Sequence, residues 1–273
     1  MTTLPRFIAS LASNPGPVLT VYSEERVEFN GPVLARWCAK IANLLGSELA
    51  ADLFGFDDFS GGAAIDEGGA GSSPDGEDGA PTLFLRHGLW QSLVWALPAR
   101  AMGWRVVSLD GDSSADPDAP TGAAAAPSGV AAPAPGDALV VDRVDDLALE
   151  ALAAGAWVLA QPREYLAFSW RGERLPEGVL DALAEVMAQS DALEVDVPSG
   201  APSTEALAAL PSPASAEGSR VALRIDEDAA AVEVMTTCLA HWLAGSSVVL
   251  VDGARYSAED TARIGADEGA RRV

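Results

Sequence analysis

The chain carries two histidines, two cysteines and a single lysine. The side chains that most often act as general bases, thiolate nucleophiles or phosphate-gripping amines are therefore scarce. His87 is the better placed histidine. It follows an apolar run at Leu83–Arg86 and precedes a helical pattern, so Arg86-His87-Gly88 reads as a strand-to-helix turn, where open α/β sheets bind ligands. Asp110 ends the next apolar run and falls at the same edge. Arg86-His87-Gly88 could contact an anion there, or the turn could only close the loop, and Asp110 joins them as a candidate ligand contact. His241 lies between Ala240 and Trp242 on an apolar helix and reads as a core or groove residue. Cys38 and Cys238 fall inside predicted helices beside Trp37 and His241, which suggests buried free thiols, with a disulfide or redox pair as the alternative. No histidine sits four residues from another metal-ligand type, so no metal site is expected. Asp142-Arg143 and Asp145-Asp146 crowd a strand end, where carboxylates could bind a cation or simply be solvated. The sequence has no G-x-S-x-G elbow, no G-x-G-x-x-G fingerprint and no Walker loop.

Composition narrows the partners. Against 40 acidic residues stand 17 basic ones, a net charge of −23, which repels phosphate backbones and anionic lipid alike. Nucleic acid and membrane surfaces are thus poor partners. No apolar stretch reaches the roughly 20 residues of a membrane span, and no secretory leader pattern opens the sequence, so a cytoplasmic protein is expected. With 273 residues and a 49% hydrophobic composition the chain can build a large core. Two stretches contribute little to it. Asp57–Pro81 and Gly111–Gly136 contain acids but no bases and are rich in Gly, Ala, Ser and Pro, so they are expected to be flexible surface insertions in a single α/β domain spanning residues 1–273.

Elsewhere short β-like runs alternate with helical stripes. Val18–Tyr22 and Val27–Phe29 read as a hairpin. Val33–Ala51 reads as a helix whose stripe of Leu34, Trp37, Cys38, Ile41, Leu44 and Leu45 should be buried. Strands are expected at Leu83–Arg86, Arg105–Leu109, Ala138–Val141, Ala156–Leu159, Val221–Ile225 and Ser247–Val251. Helices are expected at Leu89–Met102, interrupted by Pro98, and at Val144–Ala154, Pro176–Gln189 and Ala229–Ala244. Repeated strand–helix–strand units predict a mainly parallel sheet with right-handed crossovers and helices on both faces.

Three segments carry a family likeness. RVEFNGPVLARWCAKIANLLGSELA (Arg26–Ala50), LFLRHGLWQSLVWALPARAMGWRVVSLD (Leu83–Asp110) and AVEVMTTCLAHWLAGSSVVLVDG (Ala231–Gly253) resemble, in pattern and order, the N-terminal part of adenylate-forming, AMP-binding enzymes. Between the last two, YLAFSWRGERLPEGVLDALAEVMAQSDALEV (Tyr165–Val195) is similar to a short actinobacterial family that is itself distantly like acyl-CoA synthetases. The resemblance implies a domain able to hold AMP or ATP and an acyl group. It also implies a phosphate loop rich in Ser, Thr and Gly with a lysine, whose nearest counterpart in order is Val197–Thr204, with Ser199, Gly200, Ser203 and Thr204 as its small residues. That stretch lacks the lysine and contains two prolines, which lack N–H donors. The family's Thr-Glu segment, ribose aspartate and C-terminal domain with its catalytic lysine have no counterpart before Val273, and Lys40 matches none of these positions. It reads as a surface or snorkelling residue. These departures from the family pattern imply a non-catalytic relative acting as a binding or regulatory module, with no resident cofactor and with a protein, acyl or nucleotide partner. The alternative is an acyl- or nucleotide-binding enzyme completed by a second polypeptide.

Overall fold

The structure is a computed structural model that describes residues 2–49, 80–86, 89–109, 132–164, 167–196, 201–204, 219–226 and 229–272. Most of the two expected insertions lies outside these residues. The described end of the second, Ala132–Gly136, is tied into a turn: the Asp137 carboxylate accepts from the Ala134 N–H (3.0 Å) and, with its other oxygen, from the Thr82 N–H (2.8 Å).

A short helix, α1 (Leu4–Leu11), opens the chain, followed by the hairpin β1 (Pro17–Tyr22) and β2 (Arg26–Asn30). Helix α2 (Gly31–Asn43) starts where the sequence provides three local instructions. The Asn30 side chain accepts from the Val33 N–H (2.9 Å), Pro32 needs no hydrogen-bond partner in the first turn, and Gly31 lets the backbone of α1 come close. A single π-type turn, Leu44–Glu48, continues it. Then come β3 (Thr82–Leu85), α3 (Leu89–Ala101), β4 (Arg105–Ser108), β5 (Ala138–Val141), α4 (Asp146–Ala153), β6 (Trp157–Ala160), β7 (Val179–Asp181) and α5 (Ala182–Ala188). The last described elements are β8 (Arg220–Ile225), α6 (Ala231–Leu243), β9 (Ser247–Asp252), α7 (Ala258–Asp267) and the short β10 (Arg271–Arg272).

The expected mainly parallel α/β architecture with flanking helices is present, divided between two sheets rather than one. Among the described residues the strands form two five-stranded sheets, ordered β10-β8-β9-β1-β2 and β4-β3-β5-β6-β7. All pairs are parallel except the β1–β2 hairpin. The cause is visible in α3, where Trp90, Leu93, Val94, Trp95, Ala96 and Leu97 bury every side of the helix. A helix apolar all round cannot rest on one sheet with its back in water. It is therefore packed beside α2 and α6 in a layer between the two sheets. The inward residues of both sheets, Leu83, Leu85 and Val140 from one and Leu19, Val21 and Leu250 from the other, join these helices in one core. The alternate residues face outward, as the period of two requires. Phe84, Leu139 and Val158 pack under α4, and Ala222, Val249 and Val251 pack under α7. In each sheet the crossover helix changes face when the chain reverses direction, as a constant crossover hand requires.

Two further differences have local causes. The expected helix Pro176–Gln189 starts only at Ala182. Val179 and Leu180 pair with β6 instead, after a turn in which Gly178 takes φ 88°, and the Asp181 carboxylate caps α5 by accepting from Leu183 (3.1 Å) and Ala184 (3.3 Å). Trp37 is only half-buried, its ring edge-on to Trp90 at 5.8 Å, whereas the other five residues of its stripe are buried.

A polar cluster holds the outer side of the first sheet. Glu268, the residue that ends α7, accepts from Tyr22 (2.6 Å) and from Arg26 (2.7 Å) and pairs with Arg220 (2.8 Å). Its carboxyl lies below the ordinary range, chiefly because of the Arg26 hydrogen bond. The Tyr22 hydroxyl is pushed up, first by burial and then by the Glu268 carboxylate.

Both the α1–α2 contact and this cluster can be tested. A β-carbon on Gly31 would sit 1.9 Å from the Leu11 carbonyl oxygen, so Gly31→Ala should cost at least about 2–3 kcal/mol in denaturant unfolding. The depressed Glu268 carboxyl contributes stability that is complete above its unfolded value, about 4.3, and is lost as pH falls toward its lower folded value. Glu268→Gln should therefore be less stable at neutral pH and show a flatter acid limb in stability against pH; an unchanged acid limb would contradict the pairing.

Candidate functional site

The second sheet contains a reversal that marks where ligands bind in parallel folds. β3 and β5 are neighbours, yet β3 leads through α3 to β4 on one side and β5 leads through α4 to β6 on the other. The loops after these two strands part, opening a crevice at the carboxyl ends. Arg86 succeeds β3 and Asp142 succeeds β5, so both sit at this point. His87, Gly88 and Asp110 lie outside the described residues.

The crevice is lined by chemistry but nearly filled. Arg86 forms an ion pair with Asp145, whose other oxygen caps α4 by accepting from the Ala148 N–H (3.3 Å). The Arg86 guanidinium is thus already paired with a carboxylate that the helix needs. The buried Gln91 donates to the Arg163 carbonyl (2.7 Å), and the buried Gln161 donates to the Pro162 carbonyl (3.1 Å) and faces the Trp95 indole N–H (3.4 Å). About 10 Å³ of space remains between them, room for about one water and no more. One oxygen of Asp142 is buried without a hydrogen-bond partner among the described residues, and its other oxygen lies 3.6 Å from Arg163.

Asp142 and Arg163 also line a much larger hollow that opens outward from the same edge, about 560 Å³ in volume. Its walls are Val144, Leu149, Pro162, Trp170 and Leu175, and four arginines, Arg143, Arg163, Arg171 and Arg174, surround it together with Glu24, Glu164 and Glu173. The loop that carries Trp170, Arg171 and Arg174 is held at both ends. The Trp170 N–H donates to the Asp181 carboxylate (2.7 Å), its indole donates to the Glu173 carbonyl (2.8 Å), and Val179 donates to the Pro176 carbonyl (3.2 Å). Sequence reasoning passed over these residues. The available signal was the Trp170-Arg171-Gly172-Glu173-Arg174 run, two arginines three apart in a chain otherwise poor in bases.

The stretch expected to match a phosphate loop serves another purpose where it is described. Ser199 and Gly200 are outside the described residues. Ser203 bridges to Thr3, the Leu4 N–H donates to the Pro202 carbonyl (3.1 Å), and both the N–H and the hydroxyl of the buried Thr204 donate to the Thr2 carbonyl (3.1 Å each). These contacts fasten the segment to the start of α1.

Lys40, read in sequence as a surface or snorkelling residue, is held by specific partners. Its ammonium is largely withdrawn from solvent, donates to the Met187 (3.4 Å) and Gln189 carbonyls, and pairs with Asp191 (3.0 Å). The carbonyls at the C-terminus of α5 carry partial negative charge, which a lysine satisfies. Asn43, buried one turn further along α2, clamps the same segment by donating to Ala192 (2.7 Å) and accepting from Glu194 (2.8 Å). α5 runs back from the carboxyl end of β7, so this clamp points away from the hollow.

The remaining candidates sit in the core. Cys38 and Cys238 are free and buried; burial pushes the Cys38 thiol up to about 12 and the Cys238 thiol higher still. Neither is a thiolate at neutral pH. His241 is buried on α6, its ring held below the ordinary value by burial and then by the charge of Arg271. No group of three or more metal-ligating side chains occurs among the described residues, nor does a helix long and apolar enough to cross a membrane.

Comparison with known proteins gives no matching family model and no matching curated sequence. Solved structures do match. The chain superposes on acetoacetyl-CoA synthetase from Streptomyces lividans with a TM-score of 0.55 and 16% identity, covering 98% of this chain and 41% of that one. It superposes on an acyl-CoA synthetase from Brucella canis with a TM-score of 0.54 and 15% identity, covering 98% and 46%. The N-terminal subdomain of NpsA from Klebsiella oxytoca, in complex with anthranilyl-AMSN, gives 0.52 and 13%, covering 99% and 58%. The fold is that of the N-terminal subdomain of adenylate-forming enzymes, as the sequence pattern implied. The chain spans about half the length of these neighbours.

Lys40→Met would leave the helix-end carbonyls and Asp191 without their cation. It should cost about 1.5–3 kcal/mol and speed amide exchange across Gln189–Val195. Unchanged stability and exchange would return Lys40 to the role of a solvated surface residue.

Proposed function

We propose that this chain is a non-catalytic relative of the adenylate-forming enzymes, a cytoplasmic binding or regulatory module that holds a small acyl or nucleotide ligand, or a protein partner, without a resident cofactor. The placement of Lys40 supports this most directly. Adenylation in the resembled family uses a lysine at the phosphates. The only lysine in this sequence is committed to the end of α5 and to Asp191. Without such a cation the charge that develops on the α-phosphate during acyl-adenylate formation lacks its main stabilisation. Binding does not need that lysine, and the hollow beside Asp142 has the volume of an ordinary ligand site. A net charge of −23 directs the module away from nucleic acid and membrane surfaces.

The second reading is an acyl- or nucleotide-binding enzyme completed by another polypeptide; the carboxyl-end placement of the hollow supports it. ATP–pyrophosphate exchange with a broad panel of carboxylic acids separates the two. No exchange above blank is expected from the purified chain. Substrate-dependent exchange by the chain alone would overturn the non-catalytic reading, and exchange appearing only on addition of a second protein would establish the split enzyme.

A further inference from the structure

We propose that the hollow between α4 and the Trp170–Pro176 loop takes a small organic anion, a carboxylate or phosphate carried on an aromatic or short alkyl body, with Arg171 and Arg174 gripping the charge. The proposal rests on the reading of this domain as a ligand-binding module and names the class of ligand.

Five observations carry it. The hollow is about 560 Å³, within the range that holds a small molecule. Arg143 and Arg163 face Asp145 and Asp142 at 3.6 Å, whereas Arg171 and Arg174 have no hydrogen-bond or ion-pair partner among the described residues. Asp142, Glu24, Glu164 and Glu173 line the same hollow, the first facing Arg163 and the second paired with Arg255, and the two guanidinium groups on one loop, without a partner among the described residues, are what it offers an anion. The apolar half is equally specific. Trp170 has its ring fixed by the bond to Glu173, and Leu149, 41% exposed, lines the same hollow from α4. Gly172 is required for this shape, because a β-carbon there would lie 2.6 Å from the indole of Trp170. The loop therefore closes around its own aromatic ring and presents the guanidinium groups beside it. The anchoring of the loop through Asp181 and Pro176 means that little ordering is left to be done when a ligand arrives.

Isothermal titration of the full chain with benzoate, hexanoate, phenyl phosphate and the neutral benzamide tests this. Benzoate or phenyl phosphate should bind and benzamide should not, the comparison of the first two assigning the head group. Binding should weaken as salt is raised. The double variant Arg171→Ala/Arg174→Ala changes only exposed side chains and should lose at least about tenfold in affinity, whereas Arg6→Ala/Arg263→Ala, on another part of the surface, should bind as the unaltered chain does. Equal binding of benzamide and benzoate, no binding of any of the three anions, or full affinity in the Arg171/Arg174 variant would overturn the proposal. The module reading fails separately, through ATP–pyrophosphate exchange by the chain alone. An anion site lost in the double variant stands whether or not exchange is seen, and a neutral ligand bound equally by the variant sinks the anion site while leaving the module.

Discussion

The constraint on which everything else depends is that α3 has no polar side to give to water. Leu93, Val94, Trp95, Ala96 and Leu97 follow one another around more than a full turn of the helix, and all are buried. A buried aromatic or leucine side chain is worth about 1.5–3 kcal/mol, so leaving any one face of α3 exposed would forfeit several kcal/mol. Two sheets are the solution, with α2 and α6 completing the layer between them. The outer helices α4 and α7 are a second consequence, since each parallel sheet then has another apolar face to cover.

The same packing places the site. Because α3 runs inside and α4 outside, the chain leaves β3 and β5 in opposite directions, and the carboxyl ends of these strands cannot be closed by one continuous loop. Packing fills the centre of this gap with Gln91, Gln161 and the Arg86–Asp145 pair, and leaves the volume beside it, under Trp170. Charge completes the division. The chain carries a net charge of −23, whereas at the hollow four arginines balance Asp142, Glu24, Glu164 and Glu173.

Much of this was legible in the sequence, for reasons that particular residues show. The β1–β2 hairpin, β5 and β9 were found close to their true limits, and α2 was found although a π-type turn takes over after Asn43, because alternation and helical spacing are strong where one face is buried. Helix α1 was not anticipated, nor was the capped helix α7, although Ser257 and Asp260 form a capping box that local sequence displays. The pairing of Val179 with β6 could not be read locally, since Pro176 and the apolar residues after it suit a helix start and only the neighbouring strand decides otherwise. Lys40 and Thr204 escaped for a related reason. Their partners, the carbonyls of Gln189 and Thr2, are 149 and 202 residues away. The family likeness predicted the fold correctly, but composition did not show that the one lysine had been used to tie down a helix end.

Native-state amide hydrogen exchange along α3 tests the central claim most directly. If α3 is the element that both sheets bury, its interior amides from Leu93 to Leu97 should exchange only through global unfolding, at the same free energy as the slowest amides of β3 and β9. Exchange of these amides through a smaller opening, while both sheets stay protected, would contradict the account.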